Sequence, residues 1–222
     1  MDSKETKVKG MFDRIARRYD FLNRLMSLGL DTGWKREAAG HVSSPGSLVL
    51  DVACGTGDMA LFSKKAGSRV VGLDFSMDML HCARKKDPSI MWIKANAQMM
   101  PFRDAVFDGV VSGYALRNFS DMGKALGEMN LVLKHGGKIS ILEFSHPKNS
   151  LWNFLYNIHM SIIVPFLGAV FSDFSSYAYL PGSIKKFPNQ EGIKKIMEER
   201  GFAVSFKNLL FGASAIWHGS KN

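Results

Sequence analysis

The sequence predicts an α/β fold: a Rossmann-like, seven-stranded, mostly parallel sheet with helices on both faces. From about residue 48 onward, short apolar or β-branched runs alternate with amphipathic stretches, which is the pattern of a parallel sheet covered by helices. A glycine-rich turn also follows the first of these runs, as expected where a buried strand leads directly into a helix.

Seven runs have the length and composition of strands and are bounded by Gly or Pro. They lie near residues 47–52, 69–74, 90–95, 107–112, 137–144, 202–208 and 213–218. Helices are expected between them, over 58–65, 77–86 and 121–133. We expect the last of these helices to end in a glycine C-cap formed by the His-Gly-Gly turn at 135–137.

The 222 residues are expected to form one domain, since no Pro/Gly/Ser-rich linker and no repeat interrupts them. We divide this domain into an N-terminal helical cap (1–40), a core (41–148), a helical apolar flap after strand five (149–190), and a closing helix with the last strands (191–222). In the cap, Ile15, Tyr19 and Leu22 are spaced to share one apolar helix face. We expect the cap to pack over the open edge of the sheet.

The charge is strongly basic, with 29 Lys and Arg against 20 Asp and Glu and a formal net charge of +9. The excess is spread along the chain rather than gathered in one stripe with stacking aromatics, so we expect no nucleic-acid partner. Cys54 and Cys82 have no disulfide-framework or metal-ligand spacing, so no metal is expected. The polar N-terminus lacks the layout of a secretory signal, which predicts a cytoplasmic protein.

The most informative stretch is VLDVACGTGD, residues 49–58, in which a buried strand runs into a glycine turn. Gly55 and Gly57 let the backbone turn sharply and approach a ligand closely. Asp74 ends the next strand, near the roughly 20-residue spacing at which an acid meets ribose hydroxyls. Asp58 stands at the helix start, where it would repel a pyrophosphate, so a nucleoside without phosphates fits better than a dinucleotide.

A third element follows strand three, where Asn96 and Ala97 are expected beside an adenine. The three motifs D-x-x-x-G-T-G-D from Asp51, L-D at Asp74, and N-A-x-x-x-P-F-x-D-x-x-F-D from Asn96 together resemble the class I S-adenosylmethionine-dependent methyltransferases. The alternative from another class is an NAD-binding or nucleotide-sugar-binding Rossmann protein. The charge of Asp58 at the helix start disfavours it, because both ligands carry a pyrophosphate.

Across nearly the whole chain, the sequence is similar to the menaquinone and ubiquinone C-methyltransferase family. Four segments carry the similarity: MFDRIARRYDFLNRLMSLGLDTGWKR at 11–36, GYALRNFSD at 113–121, LEFSHP at 142–147 and SSYAYLPGSIKKFPNQ at 175–190. The first and last lie outside the generic cofactor-binding core, so they distinguish this family from other methyltransferases.

The resemblance implies that S-adenosylmethionine is the cofactor and that Thr56, Asp74, Asn96 and Ala97 contact it. Asp51, Gly55 and Gly57 belong to the same loop motif and are included as candidates. The family often contacts the cofactor through a serine after strand four. The aligned position here is Gly113, preceded by Ser112, so both are candidates.

Methyl transfer to an aromatic carbon is helped when a neighbouring phenol loses its proton, so the site needs a base or a phenolate stabiliser. Arg117 stays protonated and is assigned to stabilising the phenolate or to acting through a water, while Asn118 orients the other oxygen. Glu143 and His146 follow strand five and are further candidates, with a purely structural role equally open for His146. Tyr179 is expected to position the ring or to pack in the core.

Residues 149–172 contain no Asp, Glu, Lys or Arg and are long enough to raise the question of a membrane span. Pro165 and several polar side chains argue against a span, and a span would keep the last two strands out of the sheet. We interpret the stretch as a flap that offers Trp152, Phe154, Leu155, Phe166 and Phe171 to an isoprenoid tail or a bilayer surface. A buried helix pair or a homodimer contact remains open.

The function these features imply is S-adenosylmethionine-dependent C-methylation of a polyprenylated quinol ring, from demethylmenaquinol to menaquinol, at the cytoplasmic face of a membrane. A polyprenyl methoxy-benzoquinol, or another small aromatic ring, is the alternative acceptor. A non-catalytic scaffold in a quinone-synthesis complex is the third alternative.

Overall fold

The computed structural model describes residues 3–16, 18–27, 29–147, 149–158, 161–162 and 181–222. Seven strands form one sheet: β1 (Leu48–Val52), β2 (Arg69–Asp74), β3 (Met91–Lys94), β4 (Phe107–Gly113), β5 (Leu133–Phe144), β6 (Phe202–Leu209) and β7 (Ser214–Lys221). Their order is β3-β2-β1-β4-β5-β7-β6. The first five strands are parallel, and β7 runs antiparallel between β5 and β6. The predicted fold class is confirmed.

Helices connect and cover these strands, as the alternation in the sequence predicts. They are α1 (Ser3–Ile15), α2 (Tyr19–Met26), α3 (Leu30–Val42), α4 (Asp58–Lys65), α5 (Met77–Lys86), α6 (Met122–Val132), α7 (Ser150–Ile158) and α8 (Gln190–Glu198). A 3-10 turn, Leu116–Asn118, follows β4, and a second one, Leu210–Gly212, forms the turn between β6 and β7. Side-chain caps begin three of the helices: Ser76, Asp121 and Asn189 each accept a backbone N–H at the start of α5, α6 and α8.

The prediction that the His-Gly-Gly turn caps α6 is wrong. The helix ends at Val132, and Leu133 is already extended and begins β5. Residues 135–137 lie inside that strand, where the register against β4 shifts between Phe107 and Gly109. Gly136 has a φ of +69°, and a Cβ at Gly137 would lie 2.8 Å from the Lys134 carbonyl oxygen. Glycine is therefore needed for a bulge in a strand and not for a helix end.

The N-terminal helices divide between two places. Ile15, Tyr19 and Leu22 pack in one apolar cluster with Met79 of α5, although the helix breaks between Ile15 and Tyr19. This part of the predicted apolar face is confirmed. Helices α1 and α2 lie beside α5 and the carboxyl ends of the strands, where their residues line a cavity described below.

Helix α3 lies on a face of the sheet, so the expectation that the whole cap covers the sheet edge is wrong for this helix. Ala38 and Val42 pack against Val49 of β1 and Val111 of β4. The approach is close because β4 carries Gly109 at the contact: a Cβ there would lie 2.7 Å from the Val42 carbonyl oxygen.

The other face is covered by α6 and α8, whose Leu126, Met129, Ile193 and Met197 join the largest apolar cluster. Trp217 of β7 is fully buried in this layer, and its Nε1 donates to the Gln190 carbonyl oxygen at 2.9 Å. This hydrogen bond satisfies the buried indole N–H, as is usual for a buried tryptophan, and holds the start of α8 against the sheet.

The flap is described only in part. Helix α7 and residues 161–162 belong to the described chain, whereas Phe166, Phe171 and Tyr179 lie outside the described residues. In the ranges that the structure describes, none of the helices has both the length and the apolar character to cross a membrane.

We predict that Gly109→Ala lowers the free energy of unfolding by about 1–3 kcal/mol, because the added methyl group forces α3 away from β4. Gly127→Ala is the control. Gly127 lies in α6, where an added Cβ would meet nothing within 4 Å, so the same change should stabilise the helix by up to about 1 kcal/mol. Chemical denaturation of both variants measures the difference. Equal destabilisation would contradict this account of the α3 contact.

Candidate active site

A cleft of about 790 Å³ opens at the carboxyl edge of the parallel strands, between β1, β2, β4 and the N-terminal helices. Its wall combines aromatic with polar side chains. The aromatic ones are Phe12, Tyr19, Phe75, Tyr114 and Phe119, and the polar ones are Lys9, Asp74, Ser76, Asn96, Gln98 and Asn118. In open α/β sheets this edge is where ligands bind, so the cleft coincides with the position expected from topology.

The two glycines of the β1–α4 loop serve different purposes. Gly55 has a φ of +53°, and a Cβ built on it would meet no atom within 4 Å, so its backbone faces the open space of the cleft. Gly57 has a φ of +84° and precedes α4, but a Cβ there would lie 2.5 Å from the Trp92 ring. Gly55 lines the cleft and Gly57 does not. Glycine is required at position 57 by the positive φ and by packing against Trp92.

Asp74 ends β2 with its carboxylate at the cleft wall. Its Oδ2 accepts the Gly55 N–H and its Oδ1 accepts the Ser76 N–H, each at 2.8 Å. Burial raises the pKa of Asp74, and these backbone donors partly offset the effect. A carboxylate has about four lone-pair sites, so oxygens held in this way can still accept from the hydroxyls of a ribose.

The residues predicted to lie near an adenine are also at the cleft. Asn96 and Ala97 both line it, and the Asn96 Oδ1 accepts the Gln98 N–H at 2.9 Å. After β4, Gly113 lines the cleft, and a Cβ there would lie 2.5 Å from the Met59 sulfur. Ser112 points into the sheet and donates to the Val52 carbonyl oxygen at 2.7 Å, so it does not reach the cleft.

Thr56 is held by an ion-pair network that connects the cap to the glycine loop. Its hydroxyl donates to Asp20 of α2 at 2.5 Å, and Asp20 pairs with Lys86 of α5 at 2.6 Å. Lys86 also pairs with Asp58 at 2.6 Å, and Asp58 pairs with Lys35 of α3 at 3.0 Å. Burial alone would raise the pKa of Asp58, but the two lysines lower it.

This network changes the electrostatics predicted for the start of α4. An unpaired Asp58 would repel a pyrophosphate there, but two lysines neutralise its charge. The choice between a nucleoside and a dinucleotide therefore has to rest on the other motifs and on the relatives of the chain. The sequence gives little sign of the roles of Lys35 and Asp20, because most of their partners are distant in the chain. Only the i,i+4 spacing of Asp31 and Lys35 indicates a pair.

A smaller cavity of about 340 Å³ adjoins the cleft behind the glycine loop. Asp51, Lys35, Tyr19 and Gly55 are among the residues that line it. The Asp51 carboxylate accepts the Ala60 N–H at 2.9 Å and is almost completely buried. Burial raises the pKa of Asp51 to about 8, and the charges of Asp74 and Asp58 add to the effect.

Arg117 and Glu143 form a buried ion pair beside the cleft. The Arg117 Nη1 donates to the Glu143 Oε1 and to the Tyr114 carbonyl oxygen, both at 2.6 Å, and its guanidinium lies over the Phe144 ring. Burial raises the pKa of Glu143, and Arg117 opposes the rise. Tyr156 of α7 has a buried hydroxyl. Burial raises the pKa of this hydroxyl, the Arg117 charge lowers it, and the Glu143 charge raises it further.

The remaining catalytic candidates lie in different environments. Asn118 lines the cleft, its Nδ2 donates to the Tyr114 carbonyl oxygen at 3.2 Å, and its buried Oδ1 has no hydrogen-bond partner in the described structure. His146 Nε2 donates to the Phe187 carbonyl oxygen at 2.8 Å. That bond ties the end of β5 to the chain before α8 and gives His146 a structural role. Tyr179 lies outside the described residues.

The described residues bring together no group of three or more His, Cys, Asp or Glu side chains that could hold a metal ion. The free thiols of Cys54 and Cys82 are partly buried. Burial raises the pKa of Cys54 well above its ordinary value, which disfavours the thiolate.

We predict that Asp51 makes the protein less stable as the pH rises. In the unfolded chain Asp51 ionises near pH 4, whereas in the fold its pKa is about 8. Between these two pKa values, the folded state holds one proton that the unfolded state does not. The free energy of unfolding therefore falls by about 1.4 kcal/mol for each unit of pH in this range. Asp51→Asn should remove that slope when denaturation is measured between about pH 5 and pH 7.

Asp87→Asn is the matched control for this experiment. Hydrogen bonds from Lys64 and Ser89 lower the pKa of Asp87 to about 2, so its titration lies below the measured range. Its slope should equal that of the parent protein. The same slope in the Asp51 variant as in the parent would rule out a protonated Asp51 in the fold.

Comparisons with known proteins identify the family to which the chain belongs. The model of the ubiE/COQ5 methyltransferase family matches residues 1–221. The demethylmenaquinone methyltransferase of Thermus thermophilus is 41% identical over 219 residues, which cover 95% of this chain and 100% of that protein. The ubiquinone/menaquinone biosynthesis C-methyltransferase UbiE of Geotalea uraniireducens is 39% identical over 100% of this chain and 99% of its own length.

Among solved structures, a SAM-dependent methyltransferase of Thermotoga maritima superposes with a TM-score of 0.68 at 18% identity, covering 97% of this chain and 100% of its own. This likeness shows the fold, and the sequence relatives show the family. The chain belongs to the ubiE/COQ5 methyltransferase family.

Proposed function

We propose that this protein uses S-adenosylmethionine to methylate a ring carbon of a polyprenylated quinol, with demethylmenaquinol as the acceptor. One observation carries the choice of acceptor: the match to the demethylmenaquinone methyltransferase of Thermus thermophilus extends over the whole of that protein at 41% identity. Because 95% of this chain is matched, the segments at its start and near its end that distinguish the family from other methyltransferases fall within the likeness.

The cleft fits the nucleoside part of this cofactor. Asp74 offers carboxylate oxygens to the ribose hydroxyls, and Asn96 and Ala97 form the wall for the adenine. Gly55 leaves room for close approach, since its missing Cβ would point into open space. When bound, the cofactor supplies an electrophilic methyl group on a sulfonium.

Residues just after β4 and at the end of β5 are suited to activating the acceptor ring. The unpartnered Oδ1 of Asn118 accepts a hydrogen bond from a ring hydroxyl and so orients the ring in the cleft. The Arg117 guanidinium stabilises negative charge on the ring oxygen while it remains paired with Glu143. Glu143, whose pKa burial raises, is the member of the pair that can take up a proton. The positioning role of Tyr179 stays a prediction.

A lipid acceptor also needs a route from the bilayer, and an exposed apolar patch lies at the same edge of the sheet as the cleft. Trp152 of α7 stacks on Phe211 in the β6–β7 turn, with ring centroids 4.2 Å apart. Phe154, Leu210 and Phe211 are 62%, 48% and 61% exposed. We define the membrane patch as Trp152, Phe154, Leu210 and Phe211. Together with the net charge of +9, it supports peripheral attachment to an anionic leaflet at the cytoplasmic face.

The activity is tested with purified protein, S-adenosylmethionine and, in parallel, reduced demethylmenaquinone and a reduced demethylated benzoquinone. We expect mass spectrometry to show the gain of one methylene unit on the naphthoquinol. Glu143→Gln keeps the shape of the side chain but loses its charge, and should slow methyl transfer by on the order of 100-fold. Ser112→Ala is the control, because its hydroxyl bonds inside the sheet, and should retain activity.

The outcomes separate the alternatives. Methylation of the benzoquinol alone would show that the acceptor is a benzoquinol and not demethylmenaquinol. Cofactor binding with no product from either quinol would contradict the proposed reaction and favour a scaffold. An unchanged rate in Glu143→Gln would remove Glu143 from the proton path.

Membrane attachment is tested by flotation with phosphatidylglycerol-containing vesicles. Phe154→Ser and Phe211→Ser should each weaken vesicle binding roughly tenfold, because each removes an apolar side chain from the membrane patch. Met91→Ser is the matched control. Met91 is also 62% exposed, but it lies in β3, at the opposite edge of the sheet from β6. Its replacement should leave vesicle binding unchanged.

A different result identifies a different occupant of the patch. If the parent protein sediments as a dimer, and both phenylalanine variants sediment as monomers while vesicle binding is absent throughout, the patch is a contact between two copies of this chain.

A further inference from the structure

Tyr156 of α7 has a buried hydroxyl that finds no hydrogen-bond partner within the ranges that the structure describes. It follows Phe154 by two positions, so the two side chains lie on nearly opposite sides of the helix. Phe154 is 62% exposed and belongs to the membrane patch, whereas Tyr156 faces the interior. Buried hydroxyls are normally hydrogen-bonded, so this one indicates a place for a polar group from outside the chain.

The Tyr156 ring lies between the cap side of the cleft and the buried Arg117–Glu143 pair. It packs against the apolar cluster formed by the cap and α5, as Phe12 of the cleft wall does. Phe144 packs against the same cluster, and the Arg117 guanidinium lies 5.0 Å from the centre of the Phe144 ring. The charges of Arg117 and Glu143 both act on the Tyr156 hydroxyl. Tyr156 therefore belongs to the polar group that the proposed reaction uses.

The environment of Tyr156 decides which way its hydroxyl can act. Burial raises the pKa of Tyr156 above its ordinary value, and this effect is larger than the opposing effect of Arg117. The hydroxyl therefore keeps its proton at neutral pH and can donate a hydrogen bond, but it cannot serve as a base. Glu143 is a carboxylate at the same place, and it can accept a proton.

Resting on the proposed function, we propose that Tyr156 donates a hydrogen bond to the quinol oxygen that loses its proton, and that it stabilises the phenolate together with Arg117. The proton of the ring hydroxyl passes to Glu143, and Tyr156 keeps its own. A donor aimed at developing charge in a site that excludes water lowers the free energy of forming that charge. Helix α7, the first helix of the flap, thereby supplies a catalytic residue as well as apolar surface.

A role in packing alone predicts a different result. In that case Tyr156→Phe removes only a buried polar group without a partner, which leaves stability unchanged or improves it and has no effect on a bound phenol. The quantity that distinguishes the two roles is the ionisation of a phenol bound at the site.

The experiment titrates 1-naphthol, a phenol with the ring system of the proposed acceptor, bound to the protein together with S-adenosylhomocysteine. Its phenolate absorbs at longer wavelength than either the phenol or the protein, so absorbance gives the pKa of the bound probe. In the parent protein this pKa should lie below that of free 1-naphthol by about one to two units, and Tyr156→Phe should raise it by about one unit. Naphthalene, which lacks the hydroxyl, should bind both proteins equally.

The rate and the stability of the same variant complete the test. Tyr156→Phe should slow methyl transfer by about 10- to 100-fold, while the KM for S-adenosylmethionine changes by less than about twofold, because the hydrogen bond is made to the charge on the ring. Its thermal unfolding should occur at the same or a higher temperature than that of the parent protein, because the removed hydroxyl has no partner in the fold.

Ser140→Ala is the matched control. It also removes a buried hydroxyl that has no hydrogen-bond partner in the described structure. Ser140 lies in β5, three positions before Glu143 and on the opposite face of the sheet, and it does not line the cleft. The variant should keep both the parent rate and the parent pKa of the bound probe.

Three results would overturn the inference: an equal pKa of bound 1-naphthol in Tyr156→Phe and in the parent, weaker binding of naphthalene to the variant in proportion to that of 1-naphthol, or no binding of 1-naphthol to the parent. Failure of the proposed function gives a separate result. A probe pKa that depends on Tyr156, without methylation of either quinol, would leave the phenolate site standing and reject the acceptor. Methylation of demethylmenaquinol at the parent rate in Tyr156→Phe would reject the inference and leave the proposed function standing.

Discussion

The ion pairs centred on Asp58 are the interaction on which the geometry of the site depends. Asp58 stands in the first turn of α4 and joins Lys35 of α3 to Lys86 of α5, and Lys86 continues to Asp20 of α2. Four helices that meet the sheet at different places are thereby held around one loop. Each of these groups is at least partly buried, so removal of one partner would leave an uncompensated charge, which is far more costly than loss of an exposed pair.

The same arrangement explains how the cap and the cofactor loop can act as one unit. Thr56 donates to Asp20, and Ser76 donates to Asp13 of α1, so two of the loops at this edge of the sheet, those after β1 and β2, are hydrogen-bonded to the N-terminal helices. Side chains of the cap, among them Phe12 and Tyr19, complete the cleft wall. A cofactor that fills the cleft therefore contacts the cap and the sheet together, and its binding stabilises their docking by mass action.

Features of the structure that depend on short stretches of sequence were predicted correctly. Strand positions follow from apolar runs between glycines, and the position of Gly55 and Asp74 at one cleft follows from a short motif with fixed spacing. The features that were missed depend on partners distant in the chain. Lys35 meets Asp58 across 23 positions and Arg117 meets Glu143 across 26. The His-Gly-Gly segment had a sequence typical of a helix end, but the pairing of β4 with β5 decides its conformation, and no local pattern reports that pairing.

Backbone strain in the described residues is concentrated at the functional edge of the sheet. Five non-glycine residues have positive φ: Ala53, Ala105, Tyr114, Leu210 and Phe211. Ala53 and Tyr114 line the cleft, and Leu210 and Phe211 belong to the membrane patch. A left-handed conformation costs a non-glycine residue about 1–2 kcal/mol, and strain of this kind persists where the surrounding structure holds it. In the β6–β7 turn the strained residues also expose large apolar side chains, so burial in the fold does not offset their cost. Contact with an apolar phase outside the protein would offset it, which is a physical reason that favours the membrane attachment proposed for this turn.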